Sequence, residues 1–326
     1  MKQAIRDFSK QLKFSPKIEN KKGLARKKKF IVCGMGGSHL AADLIKIYNP
    51  GFDLKVHHDY GLPQVPGKIK DYLIIISSYS GNTEEAIDGF NRAVSKKLSV
   101  AAVSIGGKLL DLARKHKKPY IQIPDTGIEP RSALGFSCVC LLKIMGQEKA
   151  ILEIKKTADA IDVKNLEKQG KALSQRLKSF IPIIYTSVKN EPIGYNWKIR
   201  FNETGKIPCF NNTLPEINHN EMVGFDREGK SRNLSNKFYF IFLKDKTDHK
   251  RNLLRMSITQ DIYQEKGLKT EIIELKEKSV WDKIFSSLLL ADWAAYYTAQ
   301  VYELQAQETA IITKFKNIIK DKGGFL

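Results

Sequence analysis

Short runs of β-branched residues alternate with helical segments along this chain, and this alternation restricts the fold more than any other feature. The first run, Phe30–Cys33, precedes a glycine-rich turn and a segment with helical spacing. Such alternation is typical of parallel sheets covered by helices, so the pattern predicts an α/β fold. In the first half, strands are predicted at residues 30–33, 54–58, 72–77, 98–104 and 120–123.

A helical stretch separates two such series of strands. Residues 147–178 are rich in Lys and Glu and have helical periodicity with no predicted strand. Beyond them, strands are predicted at 180–186, 237–243 and 271–275, and a long helix at 279–303. We therefore predict two domains, each a parallel sheet between helices in three layers. The predicted organisation is a helical and basic lead-in at 1–28, a first domain at 29–150, a helical connection at 151–179 and a second domain at 180–326.

The net charge of +20 raises the question of an anionic partner, which could be nucleic acid, an acidic membrane surface or a substrate. The basic residues are spread along the chain, and the one dense run, Arg26–Lys29, is interpreted as a solvated turn before the first strand. No motif with interleaved aromatic residues accompanies it, so we predict no nucleic-acid partner.

The longest apolar tract, residues 284–302, contains Asp292 and several small or polar residues, which favours a buried or interface helix over a membrane span. Without a signal peptide, the protein is predicted to be cytoplasmic.

The cysteines and histidines show no metal-binding spacing. The four cysteines form no CxxC pair, and the six histidines have no ligand spacing with each other. His57 and His58 lie on a predicted strand and point to opposite faces, so they cannot share a metal ion from one side. We predict neither a metal nor a cofactor.

Two loops, each between a predicted strand and a predicted helix, carry the clearest functional signal. Gly34–Ser38 places backbone N–H groups at a helix N-terminus, where an anion is favoured. Ser78–Thr83, called the cradle below, adds three hydroxyls and a glycine, and Thr83 is predicted to cap the following helix. Hydroxyls and amides can hold a phosphate without Lys or Mg²⁺, so a phosphate-bearing ligand is predicted. A dinucleotide site is disfavoured because His39 stands where a GxGxxG motif needs its third glycine, although Asp59 could serve as the ribose acid.

These loops resemble those of SIS (sugar isomerase) domains. Further matching segments are Gly106–Leu109, Pro130–Leu134, Phe201–Glu203 and Leu214–Glu221. Together they are similar to the bifunctional phosphoglucose/phosphomannose isomerases first described in archaea, over nearly the whole chain. The resemblance implies two SIS domains, a hexose 6-phosphate substrate and a homodimer.

The resemblance also implies roles for individual residues. The sugar phosphate is expected to be held by Gly37, Ser38, Ser78, Ser80 and Thr83. Glu203 is expected to move the proton between C1 and C2, and Arg131 to stabilise the enediolate. His219 from the neighbouring subunit, together with Lys316, is expected to open the sugar ring. Thr309 is expected to leave room around C2 for both the glucose and the mannose configuration.

Three alternatives stay open at this point: a single-specificity phosphoglucose isomerase, another SIS isomerase acting on amino-sugar or heptose phosphates, and a non-catalytic sugar-phosphate sensor. Sensors of this kind join SIS domains to a DNA-binding helix-turn-helix, for which the segment before the first strand is too short. A sensor also has no need of Glu203 and His219, so the isomerase is favoured.

Overall fold

The computed structural model describes residues 1–276 and 278–322. By its contacts the chain divides into two compact units. The first unit consists of residues 2–163 and 275–287, and the second of Met1, residues 164–274 and those from 288 onward. Each unit contains a parallel sheet.

The sheet of the first unit begins with the predicted run of β-branched residues. Its strands are β1 (Lys29–Cys33), β2 (Asp53–His57), β3 (Tyr72–Ser77), β4 (Val100–Ser104) and β5 (Tyr120–Gln122). Among the described residues they form one five-stranded parallel sheet in the order β2-β1-β3-β4-β5. Every residue of β3 and β4 is buried, as expected of central strands covered on both faces.

Helices surround this sheet. They are α1 (Lys2–Arg6), α2 (Phe8–Leu12), α3 (Gly37–Tyr48), α4 (Glu84–Ser95), α5 (Gly107–Lys115), α6 (Leu134–Ile144) and α7 (Glu148–Ala160). The apolar sides of α4 and α5 bury Phe90 and Leu109 against Ile74 and Ile76 of β3. Helix α6 is apolar over nearly its whole length and is buried accordingly.

The second unit repeats this plan on a smaller sheet. Its strands are β6 (Ile181–Ser187), β7 (Phe210–Leu214), β8 (Phe238–Lys244) and β9 (Lys269–Glu274). Within the described part of the chain they form a four-stranded parallel sheet in the order β7-β6-β8-β9. The helices along this part of the chain are α8 (Val163–Arg176), α9 (Glu191–Arg200), α10 (Glu221–Gly224), α11 (Lys250–Glu265), α12 (Val280–Val301) and α13 (Ala310–Lys322). Residues 280–287 of α12 belong to the first unit and its remaining residues to the second. Aromatic rings dominate one face of the sheet, where Tyr185, Phe240, Phe242 and Tyr263 pack together.

Each sheet has a point at which the strand order reverses. In the first sheet the chain leaves β1 for β2 on one side and then returns to β3 on the other. The loops that follow β1 and β3 therefore diverge and leave a crevice at the carboxyl ends of these strands, which is where parallel α/β sheets bind ligands. These are the loops Gly34–Ser38 and Ser78–Thr83. The corresponding loops of the second sheet follow β6 and β8.

The two parallel sheets confirm the predicted fold class, with one strand that the sequence did not predict. Strand β7 has the sequence Phe-Asn-Asn-Thr-Leu, and its two central asparagines have low β-propensity. It pairs along its whole length with β6, so tertiary pairing decides its conformation.

The longest helix, α12, contains the apolar tract that was predicted to be buried. Trp281, Phe285, Leu288 and Trp293 are all essentially inaccessible to solvent. In the described range, no helix has the length and apolar character that crossing a membrane requires.

Candidate active site

The cradle Ser78–Thr83 is held together by its own side chains. The Ser78 hydroxyl donates to Thr83 Oγ1 at 2.9 Å and accepts from the Gly81 N–H at 3.1 Å. The Asn82 N–H donates to Ser80 Oγ at 3.3 Å. The hydroxyls of Ser80 and Thr83 act as acceptors in these bonds, so their own hydrogens can be donated to a phosphate oxygen. Ser78 is completely buried and orders the loop.

Thr83 occupies the predicted N-cap position of α4, but its side chain makes no capping hydrogen bond. Its oxygen accepts from Ser78 instead. The capping interpretation of this side chain was therefore wrong. The Thr83 hydroxyl points into the loop and not toward the first N–H groups of α4, because Ser78 lies within hydrogen-bond distance of it.

Neighbouring loops close around the cradle from both sides. The Tyr79 N–H donates to the Ser38 hydroxyl at 2.9 Å, which joins the loop after β1 to the cradle after β3. On the other side Asn82 Oδ1 accepts from the Lys108 N–H at 3.0 Å, which joins the loop after β4. The loops that follow three adjacent strands, β1, β3 and β4, are thus joined by hydrogen bonds around the cradle.

Two glycines permit this close approach. Gly81 has a φ of +73°, and a Cβ atom there would lie 1.8 Å from the carbonyl oxygen of Gly106. At Gly37, the first residue of α3, a Cβ atom would lie 2.9 Å from the carbonyl oxygen of Pro130 and 3.0 Å from the Arg131 nitrogen. Both positions accept only glycine without movement of backbone. The second contact also brings Arg131 beside the helix N-terminus that follows β1.

Arg131 lies on a single helical turn, Pro130–Ser132, before α6. Its side chain is almost fully buried, with a guanidinium nitrogen 3.7 Å from Glu129. A buried guanidinium needs a nearby acceptor or counter-charge. Glu129 is partly exposed, so the pair lies where the buried turn meets the surface.

Tyr79 forms the buried part of the cradle wall. Burial, and next to it the Asp125 carboxylate, raises the pKa of Tyr79 to about 12. The phenol is therefore neutral at physiological pH and adds no negative charge to the cradle.

Glu203 belongs to the second unit and lies in a π-helical turn, Phe201–Gly205, that continues α9. Lys206 ends the turn with a φ of +59°, and its Nζ donates to the Glu203 carbonyl at 2.6 Å and to the Glu308 carbonyl. This lysine therefore brings the Glu203 turn next to the segment that contains Thr309. Turns of the π type are rare inside helices and occur frequently at functional sites.

Thr309 directly precedes α13, and its carbonyl accepts from the Ile312 N–H at 3.0 Å. Lys316 lies on α13 with an exposed side chain. His219 is also exposed and ends the short helical turn Glu216–His219 between β7 and α10. Glu203, His219, Thr309 and Lys316 thus belong to the second unit, whereas the cradle, Gly37, Ser38 and Arg131 belong to the first.

The crevice of the second sheet has different chemistry. Asp245 and Asp248, after β8, are buried, and Lys189, after β6, lies 3.1 Å from an Asp245 oxygen and 3.7 Å from an Asp248 oxygen. Asn190 Nδ2 donates to Asp245 at 3.1 Å. Two carboxylates and one ammonium group therefore occupy the position that corresponds to the cradle. Their net negative charge disfavours a phosphate here.

Comparison with known proteins identifies the family. A profile described as the bacterial phospho-glucose isomerase C-terminal SIS domain matches residues 166–319. The bifunctional phosphoglucose/phosphomannose isomerase of Aquifex aeolicus is 30% identical over 306 residues, which cover 92% of this chain and 92% of that protein. The protein of the same name from Caldicellulosiruptor bescii is 32% identical over 309 residues, which cover 89% of this chain and 88% of that one. This chain belongs to the bifunctional phosphoglucose/phosphomannose isomerase family.

The fold agrees with this family assignment. The tagatose-6-phosphate ketose/aldose isomerase of Escherichia coli superposes with a TM-score of 0.67 at 13% identity, over 94% of this chain and 93% of that one. In a family of aldose–ketose isomerases, the hydroxyl-lined cradle has an immediate use. Its hydroxyls and amides are groups that can hold a phosphate without a lysine or metal ion beside it.

Three structural features of this family member are not predicted by its sequence. They are the hydrogen bonds of Lys206 to the Glu203 turn, the Lys189–Asp245–Asp248 cluster, and the contacts that Glu221 makes beside His219. None has a local sequence pattern that indicates it. The Glu308 carbonyl that Lys206 also contacts, and the partners of Lys189 and Glu221, lie in other elements of the unit. Among the described residues, no group of three His, Cys, Asp or Glu side chains is arranged to hold a metal ion.

Proposed function

We propose that this chain interconverts glucose 6-phosphate and mannose 6-phosphate with fructose 6-phosphate through a cis-enediolate. The observation that carries the proposal is the hydroxyl-lined cradle, closed by Gly37 and Gly81, in a member of this isomerase family. The relatives from Aquifex aeolicus and Caldicellulosiruptor bescii carry both activities in their names, which supports both substrates for this chain.

The phosphate is proposed to bind where the three loops of the first unit meet. Ser80 and Thr83 donate their hydroxyl hydrogens, Ser38 holds the Tyr79 amide, and Ser78 keeps the loop ordered. The N–H groups at the start of α3, from Gly37 onward, add positive potential. This arrangement fixes one end of the sugar and leaves the reacting carbons free for proton transfer.

Glu203 is proposed as the base. It removes the proton from C2 of the open-chain aldose, and the electron pair forms a C1–C2 double bond as negative charge develops on O1. A proton passes from O2 to O1, and Glu203 then delivers its own proton to C1, which leaves the carbonyl at C2. Arg131 is proposed to stabilise the enediolate oxygens during these steps. Because C2 is planar in the enediolate, glucose and mannose phosphates share this intermediate.

Ring opening and specificity are proposed to depend on three further residues. His219 and Lys316 move protons between the ring oxygen and the anomeric hydroxyl, which opens the pyranose or furanose before proton transfer at carbon. Thr309 has a short side chain and is proposed to leave room for either configuration at C2. Its position next to the Glu308 carbonyl, which Lys206 joins to the Glu203 turn, supports a place beside the base.

The working form is proposed to be a homodimer in which His219 serves the partner's site. Supporting this, α13 carries large exposed apolar side chains that are costly to leave in water: Ile311, Phe315, Ile318 and Ile319. His219 itself is exposed, as a residue serving another subunit must be before assembly.

Mixed dimers test this arrangement. Dimers of Glu203→Gln alone and of His219→Ala alone are each expected to keep at most about a tenth of wild-type activity. A refolded equal mixture should reach about a quarter of wild-type activity or more, since half of the dimers are mixed and each of these has one intact site. Recovery is measured as initial rates after mixing. If His219 serves its own chain, every site lacks one residue and the activity of the mixture stays at the mean of the two variants.

The substrate assignment is tested by supplying fructose 6-phosphate and measuring both aldose phosphates separately after chromatographic separation. Both products are expected. Glucose 6-phosphate alone would indicate a single-specificity enzyme, and the absence of both would contradict the proposal in favour of another SIS isomerase or a sensor. Binding of fructose 6-phosphate without turnover would single out the sensor.

A further inference from the structure

The segment that carries His219 is anchored on both sides of the histidine. On one side Asn218 Nδ2 donates to Thr259 Oγ1 of α11 at 2.8 Å, and Arg255 donates to Asn218 Oδ1 at 3.3 Å. On the other side Glu221 begins the short helix α10. His219 itself remains exposed between these two attachments.

Glu221 is attached to the sheet through both of its carboxylate oxygens. Tyr185 of β6 donates its hydroxyl to Oε1 at 2.5 Å, and Asn212 of β7 donates its amide to Oε2. Tyr185 is completely buried among aromatic rings, so its position is set by the core. Burial raises the pKa of Tyr185 far above its usual value, so the phenol keeps its proton and remains a donor. Hydrogen bonds to a carboxylate are about twice as strong as neutral ones.

These contacts attach the segment that carries the exposed His219 to two paired strands of the sheet. Strands β6 and β7 are adjacent and paired over five residues, from Ile183 opposite Phe210 to Ser187 opposite Leu214. Glu221 accepts one hydrogen bond from each of these strands and lies two residues after His219 in the chain. Catalytic groups must keep their geometry closely, since a displacement of about 1 Å can cost roughly 10²-fold in rate. An exposed side chain on a short turn needs a support of this kind to be held that well.

We propose that Glu221 is a positioning residue, which uses its bonds to Tyr185 and Asn212 to hold His219 in place for opening the sugar ring. The inference rests on the proposed role of His219 in ring opening. Glu221 does not touch the substrate in this scheme; it acts only through the histidine.

A double-mutant cycle tests the inference. Glu221→Ala and His219→Ala are each expected to lower kcat for fructose 6-phosphate by roughly 10- to 100-fold, as loss of an oriented acid–base group does. Because Glu221 acts through His219, the double variant should be no slower than His219→Ala alone. Multiplicative effects in the double variant would overturn the inference.

A substrate that cannot form a ring separates positioning from general damage to the fold. Without its C5 hydroxyl, 5-deoxyfructose 6-phosphate cannot close a furanose, so its proton exchange with D₂O at C1 needs no ring opening. Exchange, followed by NMR, should stay within about twofold of wild type in Glu221→Ala, because proton transfer at carbon does not use His219. Equal losses on both substrates would mean a structural role only and would contradict the inference.

Two further variants keep the test decisive if Glu221→Ala fails to fold. Tyr185→Phe keeps the buried ring and removes one of the two bonds to Glu221, so a smaller loss of roughly fivefold on fructose 6-phosphate is expected, again without loss of exchange. Glu265→Ala removes an exposed carboxylate of the same unit at the end of α11 and should behave as wild type.

Wild-type turnover in His219→Ala would refute the ring-opening assignment itself. Selective loss in His219→Ala without selective loss in Glu221→Ala would refute the role of Glu221 alone.

Discussion

Glu203→Gln is expected to lower kcat for fructose 6-phosphate by roughly 10³-fold, since general bases typically contribute 10²- to 10⁴-fold. Glutamine keeps the size and polarity of the side chain in the π-helical turn, but it cannot accept a proton from carbon. The phosphate contacts are proposed to come from other residues, so the Kd of fructose 6-phosphate should change little. Rates are measured from the appearance of the aldose phosphates, and Kd by titration calorimetry on the inactive variant.

Glu308→Gln is the matched control for this experiment. Its side chain is exposed, and the backbone carbonyl that Lys206 contacts is unchanged by the substitution. It therefore removes one carboxylate near the same turn without removing the base, and its kcat should equal that of wild type. Full turnover by Glu203→Gln would rule out Glu203 as the base, and loss of binding with unchanged kcat would assign it to substrate binding instead.

Gly81→Ala is expected to weaken binding of hexose 6-phosphates by roughly 10²-fold or more. The substitution forces the cradle away from the loop after β4, and so displaces the groups that are proposed to donate hydrogen bonds to the phosphate. The added Cβ atom would lie 1.8 Å from the Gly106 carbonyl oxygen, and backbone at that distance must move. The loss should appear in kcat/KM and in the Kd of inorganic phosphate, which probes the cradle without the sugar.

Gly67→Ala separates this clash from backbone strain. Gly67 also has a φ of +77°, but a Cβ atom there would have no neighbour within 4 Å. Both variants carry the strain of a left-handed residue, which is about 1–2 kcal/mol, and only Gly81→Ala carries the collision. Equal phosphate affinities in the two variants would mean that the close approach of the loops is not needed for binding.

Much of the first unit could be predicted because its signals are local. Buried β-branched runs define β1, β3 and β4, and the hydroxyls and glycine of the cradle follow β3 directly in the chain. Parallel strands then bring their carboxyl ends to the same edge, so the meeting of the two loops follows from the fold class. The atom-level result differs at Thr83, whose hydroxyl bonds Ser78 rather than the helix that it precedes.

The second unit was less predictable for a physical reason. Strand β7 contains Asn211 and Asn212, which disfavour a strand locally, and it forms because β6 offers it a complete edge. The turn at Glu203 departs from a regular helix, and Lys206 joins it to a carbonyl 102 residues later in the chain. Neither arrangement leaves a pattern in a short window of sequence.

The sequence by itself determined the two parallel sheets, the loops rich in glycine and hydroxyl groups after β1 and β3, and the resemblance to one isomerase family. Each of these depends on residues close together in the chain or on periodicity within one element. The tertiary structure alone decided how closely Gly81 approaches Gly106, how Lys206 holds the Glu203 turn, and how Glu221 supports the His219 segment. Except for the bond from Lys206 to the Glu203 carbonyl, these contacts join groups that are far apart in the chain, and their distances depend on the packing of the unit around them.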